Sequence, residues 1–181
     1  YINLQRHGRQ PAPSEEINFV VEGSTKAYGD AVALAAQQSG NNGIVAIGLE
    51  HGHLVIGKVD LLGQPMWQDE HAGLMTFRPH QAAISDIAFS ENGNYLAVSS
   101  YDGTITVWDL RYFLSPSYQP LRIDGHRDWV RSVALANQDR FLLAGTRGGN
   151  VYFWNFHSPD LAMAICDRLS RQAGFPNYDR L

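Results

Sequence analysis

The sequence predicts an all-β fold: four-stranded antiparallel units repeat along residues 1–157, and one α-helix follows in residues 158–181. Three observations predict it. Apolar residues alternate with a period of two over short runs, as in half-buried strands. Asp102-Gly103 and Gly148-Gly149 separate such runs, and these dipeptides favour hairpin turns because glycine accepts positive φ. The runs also recur in register. "YLAVSSYDGTITVWDL" (95–110) lies over "FLLAGTRGGNVYFWNF" (141–156) and, more weakly, over "IVAIGLEHGHLVIGKV" (44–59).

Taken in order, the units are as follows. "YINL" (1–4) aligns with "VWDL" (107–110), so the chain opens in the third strand of a unit, and "INFVV" (17–21) supplies the fourth. This first unit, 1–22, lacks its two inner strands. The second, 28–77, is the most divergent. It starts with "AVALA" (31–35), spends "QSGNN" (38–42) on a loop, continues through the 44–59 window and ends on "LMTF" (74–77). The third, 80–123, is the best preserved, with "DIAFS" (86–90) first and "LRI" (121–123) last. The fourth, 126–157, starts with "SVALA" (132–136). Alignment of the first strands superposes Val32, Ile87 and Val133. In the windows, Leu54, Ile105 and Val151 coincide, as do Ile56, Val107 and Phe153.

Four strands recurring every 40–45 residues or so is the period of a β-propeller blade. Through "FSENGNYLAVSSYDG", "DGTITVWDL" and "GHRDWVRSVAL" the sequence resembles the WD-repeat β-propeller family, over roughly residues 28–157. The resemblance implies a partial propeller of about four blades, the first incomplete. It also implies missing blades upstream in a longer parent, with sheet edges left open. The chain starting at Tyr1 inside a strand fits that expectation.

The resemblance further implies a structural network in each blade, joining a histidine, a Ser or Thr, an Asp and a Trp. The third unit has the full set in His80, Ser100, Asp102 and Trp108. The fourth has His126, Thr146 and Trp154, with Gly148 in the Asp position. The second has Leu49, His51 and Gly57 at the matching places, and Ile2 replaces the Trp of the first. In the family one rim of the ring meets partners. Tyr101, Trp129, Arg131, Arg147, Glu50 and Ser85 map to that rim. Exposed Trp, Tyr and Arg are the types enriched at binding hot spots. "MWQDEH" (66–71) and "YFLSPSYQP" (112–120) are aromatic loops on the outer side, the latter a candidate partner loop.

In the tail, Ser158 can N-cap, Pro159 suits the first helical turn, and Leu161, Ile165 and Leu169 share a face. Gly174 and Pro176 end the helix. The apolar face is expected to bury against the last blade. "AICDRL" within it is similar to tails that follow the last repeat in STAND-type signal-transduction ATPases. That likeness implies a sensor or autoinhibitory module of a larger NTPase.

A net charge of −4 lacks the basic footprint of nucleic-acid binding, and no apolar run is long enough to span a membrane. The single cysteine, Cys166, fits a reducing, cytoplasmic setting. His80, Asp102 and Ser100 are the residue types of a hydrolase triad. A serine inside a strand has no nucleophile elbow, so a structural role is expected instead. "HGH" (51–53), with His71 and His80 beyond it, invites a metal, but no second paired motif completes four ligands. No metal, no other cofactor and no catalysis are therefore expected. The expected partner is another protein, or the upstream part of the same polypeptide.

Overall fold

The computed structural model describes residues 2–4, 19–21, 28–39, 42–60, 75–115 and 118–155. The predicted helix and the "MWQDEH" loop lie outside them. The described residues form antiparallel sheets joined as meanders. β1 (Ile2–Leu4) pairs with β2 (Phe19–Val21). A four-stranded sheet holds β3 (Ala31–Ser39), β4 (Asn42–Leu49), β5 (Leu54–Asp60) and β6 (Met75–Phe77). A second holds β7 (Ile84–Phe89), β8 (Tyr95–Ser100), β9 (Ile105–Asp109) and β10 (Leu121–Ile123). The last sheet has three described strands, β11 (Val130–Ala136), β12 (Phe141–Thr146) and β13 (Val151–Asn155). The fold is all-β, and its sheets are propeller blades.

Two details differ from the sequence reading. The ladder between β3 and β4 runs out to Ser39↔Asn42, so "QSGNN" mostly extends two strands instead of forming a loop. Polar side chains do not oppose this, because the backbone donors and acceptors pair regardless of what they carry. The register of β3 also moves by two. Leu34 faces Ile47 as Ile87 faces Val98 and Val133 faces Ala144. Leu34, and not Val32, is therefore the counterpart of Ile87. A slip of two keeps every side chain on its face, so the alternation of Val32 and Leu34 could not reveal it.

Each first strand carries a bulge at the same place, between Ala31 and Ala33, Ile84 and Asp86, and Val130 and Ser132. The extra residue, Val32, Ser85 or Arg131, leaves the ladder. The core lies between blades. Ala46, Leu54 and Ile56 pack on Ile84, Ile87, Leu96 and Val98. One blade later Ala97, Ile105 and Val107 pack on Val130, Val133, Leu142 and Ala144.

Polar ties cross the same gaps. Asp86 Oδ2 accepts the Val133 N–H at 3.0 Å, Ser85 Oγ donates to the Val130 carbonyl at 2.7 Å, and His126 Nδ1 lies 2.8 Å from the Gly103 carbonyl. The blades are thus held by apolar burial and by side-chain hydrogen bonds to backbone groups of the neighbouring blade.

Candidate functional site: a buried hub and an exposed rim

The side chains of Thr104, Thr106 and Trp108 alternate onto one face of β9 and its entry, toward the preceding blade, where Phe77 packs 4.7 Å from the Trp108 ring. His80 reaches the same face from the loop before β7 and is buried. Its Nδ1 lies 3.2 Å from Asp102 Oδ2 and 3.0 Å from Thr104 Oγ1, and its Nε2 lies 3.1 Å from Thr106 Oγ1. Trp108 Nε1–H donates to the same Thr106 oxygen at 3.1 Å. One proton arrangement satisfies the whole set. Trp108 donates to Thr106, Thr106 donates to His80 Nε2, and His80 Nδ1–H donates to Asp102.

Asp102 also accepts the backbone N–H groups of Gln81 and Thr104 and the Thr104 hydroxyl. Burial opposes its ionisation. The hydrogen bonds from His80, Thr104 and the Gln81 N–H outweigh burial and hold the carboxyl well below the usual carboxylate range. Protons therefore bind the unfolded chain more readily than the folded one. The stability from Asp102 is complete above the ordinary carboxylate pKa of about 4 and drains away as pH falls below it. Asp102→Asn is expected to lower stability at neutral pH and to flatten this acid limb. Denaturation midpoints of both proteins across the acid range check it, and parallel pH profiles would rule it out.

Ser100 takes another part. Its Oγ lies 3.0 Å from both the Ala82 and Ala83 carbonyls and accepts the Asp102 N–H at 3.1 Å. His80 Nε2 meets Thr106 and not Ser100, so the His80, Asp102 and Ser100 triad is not assembled. Thr104 and Thr106 are the residues the sequence reading missed. Their signal was the period-two spacing of Thr104, Thr106 and Trp108.

The last blade has no such hub. Tyr152 stands where Thr106 does and Gly148 where Asp102 does. His126 meets Tyr152 and Trp154 edge-on, and its buried Nε2 has no hydrogen-bond partner. Thr146 Oγ1 donates within its own turn, to the Asn150 carbonyl at 3.3 Å. The expectation of a joined His126, Thr146 and Trp154 set is corrected accordingly: neither residue that would relay the bonds is there.

The rim is built by the turn between second and third strands. In each blade the first turn residue donates its N–H to the residue before the first strand: Glu50 to Asp30, Tyr101 to Ala83 and Arg147 to Trp129. This shared bond places Arg147 beside Trp129. The Arg147 guanidinium carbon lies 4.6 Å from the Trp129 ring centre, and the Tyr101 ring from the preceding blade lies 5.3 Å from Trp129. Tyr101 is 37% exposed and Trp129 44%. An Arg over an indole is a favourable cation–π contact. Arg131, the bulge residue of β11, is exposed, as is Glu50, whose carboxylate accepts the Asp30 N–H at 3.2 Å.

Ser85 does not belong to this surface. Its hydroxyl is committed between blades, to the Val130 carbonyl and to Ser99 Oγ. The described part of the 112–120 loop is split, with Tyr112 and Leu114 exposed and two aromatic rings turned inward. Phe113 is buried, Tyr118 lies 6.1 Å from Trp108, and its hydroxyl accepts the Asp109 N–H. Burial pushes the Tyr118 phenol up to about 12. At "HGH", His53 packs edge-on against Tyr28, and burial, then the charges of Arg78 and His51, lower its pKa. Among the described residues no three His, Cys, Asp or Glu side chains gather to hold a metal. Among the same residues no helix is long and apolar enough to cross a membrane.

The WD40 family, described as "WD domain, G-beta repeat", matches residues 73–109 and 118–155. These two segments are WD repeats. Each WD repeat opens on the fourth strand of the preceding blade, β6 or β10, so the sequence repeat staples two sheets together. Similar proteins include the target of rapamycin complex subunit wat1 of Schizosaccharomyces pombe. It is 38% identical over 82 residues, 45% of this chain and 24% of that protein. The guanine nucleotide-binding protein subunit beta of Nicotiana tabacum is 33% identical over 44% of this chain and 22% of its own length. The Set1 complex component swd1 of S. pombe is 30% identical over 54% and 23%. The matched part thus spans about a quarter of these relatives. Among solved structures, the Cps50 (Swd1) beta-propeller domain of Myceliophteria thermophila superposes with a TM-score of 0.53 at 20% identity. The match covers 72% of this chain and 35% of that one. It supports the propeller fold alone.

Proposed function

We propose that this WD-repeat segment is a protein-recognition module without catalysis of its own, and that the rim around Tyr101, Trp129 and Arg147 contacts the partner. The observation that carries this reading is the exposed Tyr101–Trp129 pair capped by Arg147. Two large rings and a guanidinium are held rigid by backbone turns of two different blades. Such anchors lose little freedom on binding, and their residue types dominate binding energy elsewhere. The names of the three relatives support the reading, since each is a subunit or component of an assembly. Arg131 and Glu50, exposed at a bulge and at the equivalent turn position, are further candidate contacts. The hub of His80, Asp102, Thr106 and Trp108 holds the blade that presents Tyr101. A sensor role within a STAND-type NTPase would use the same rim, and it rests on the tail sequence alone.

Substituting Tyr101, Trp129 and Arg147 together by Ala is expected to abolish recovery of the partner in affinity capture while leaving the denaturation midpoint nearly unchanged. Undiminished recovery from a folded triple variant would overturn the rim assignment.

A further inference from the structure

Equivalent turn positions along the rim carry different charges. Glu50, Tyr101 and Arg147 each donate the backbone N–H to the residue before the first strand of their blade. A carboxylate, a phenol and a guanidinium thus occupy one place in three successive blades. The residues that accept those bonds follow the same order: Asp30 beside Glu50, Ala83 beside Tyr101 and Trp129 beside Arg147. The row runs from acidic to basic. Tyr101 has Trp129 of the next blade against it and is still 37% exposed, so this turn position stays open to solvent with a blade alongside.

The basic end has no counter-charge of its own. Arg111 and Arg122 are paired with Asp109 and Asp124 at 2.6 and 2.7 Å. Arg147, Arg127 two residues before Trp129 and Arg131 two residues after it are all exposed. None of the three forms an ion pair among the described residues. The carboxylate of this loop, Asp128, accepts the Trp129 N–H at 2.7 Å instead. A guanidinium stacked on an indole keeps its N–H edge, and that planar fork can take both oxygens of a carboxylate. Taking this rim as the contact surface, we infer that the partner meets it with an acidic segment of polypeptide. A carboxylate side chain seats on Arg147, and an apolar neighbour lies on the Tyr101 and Trp129 rings. Glu50 and Asp30 repel such a segment from the other end of the row, so the rim holds both the favourable and the unfavourable site that discrimination uses. Complementary charge of this kind speeds encounter and is weakened by salt.

The test is selection of phage-displayed random peptides on the immobilised chain, with the selected peptides then synthesised and titrated. They are expected to be rich in Asp and Glu beside an aromatic or aliphatic residue. Arg147→Glu should weaken their binding by at least about tenfold, and Glu50→Arg should not weaken it. Selected peptides without acidic enrichment, or acidic peptides that bind Arg147→Glu as tightly as wild type, would overturn the inference. The rim itself is judged by a folded variant with Tyr101, Trp129 and Arg147 all replaced by Ala. Peptides that bind this variant undiminished would sink the rim as contact surface. Neutral peptides that are selected and then lost on it would sink the acidic partner alone. A selection that yields no binder overturns both.

Discussion

Replacing His80 by Ala is expected to destabilise the chain by about 3–4 kcal/mol, whereas His126→Ala costs about 1 kcal/mol. Both histidines stand at the same place in their repeats. His80 touches Asp102, Thr104 and Thr106 with both ring nitrogens, and through Thr106 it is linked to Trp108. Its removal empties a buried site, takes one hydrogen bond from the Asp102 carboxylate and leaves the buried Thr106 hydroxyl without its acceptor. His126 spends one nitrogen on the Gly103 carbonyl and leaves the other without a partner. Its removal strands one carbonyl at a half-exposed position. Chemical denaturation of the three proteins, compared at constant slope, separates the two costs. Equal losses would mean that the hub adds nothing beyond the packing of an imidazole. Thr106→Val refines the point, because it keeps the shape and removes the one oxygen that joins His80 to Trp108.

The strands were legible because alternation and hairpin dipeptides are local signals. β7 to β9 follow from "DIAFS", "YLAVSS" and "ITVWD" flanking Asp102-Gly103. The β3 register was not, since Val32 and Leu34 satisfy the same face two residues apart. The hub was half legible. His80, Asp102 and Trp108 meet, but the bridge between them is Thr106, which a propensity reading treats as an ordinary strand residue. Ser100 was assigned by position, and its hydroxyl is drawn instead to the Ala82 and Ala83 carbonyls of the loop before β7. Bulges themselves leave no mark in composition. That is why Ser85 looked like a surface residue and Asp86 was overlooked, although both bind backbone groups of the next blade. The rim cluster depends on contacts between residues from two blades, which no single window of sequence contains.

The two turn glycines at opposite ends of the array provide the second large effect. Gly52 and Gly149 share a repeat position and nearly the same φ, 78° and 80°. An alanine at either pays the left-handed strain, about 1–2 kcal/mol. At Gly149 nothing else stands in the way. At Gly52 the new Cβ would lie 2.2 Å from the His80 carbonyl oxygen and 2.9 Å from that of Ala82. Neither neighbour is a flexible side chain. The loop that carries His80 into its hub would have to move, and the Gly52 carbonyl would lose the His80 N–H it now accepts at 3.3 Å. Gly52→Ala is therefore expected to cost at least about 2 kcal/mol more than Gly149→Ala. It should also couple to His80→Ala, because the two changes disturb one loop. A double-mutant cycle measures this. Strict additivity, or equal costs at the two glycines, would show that blade-to-blade approach at Gly52 does not position the histidine. A large difference with strong coupling would mean that the turn of one blade sets the geometry of the hub in the next.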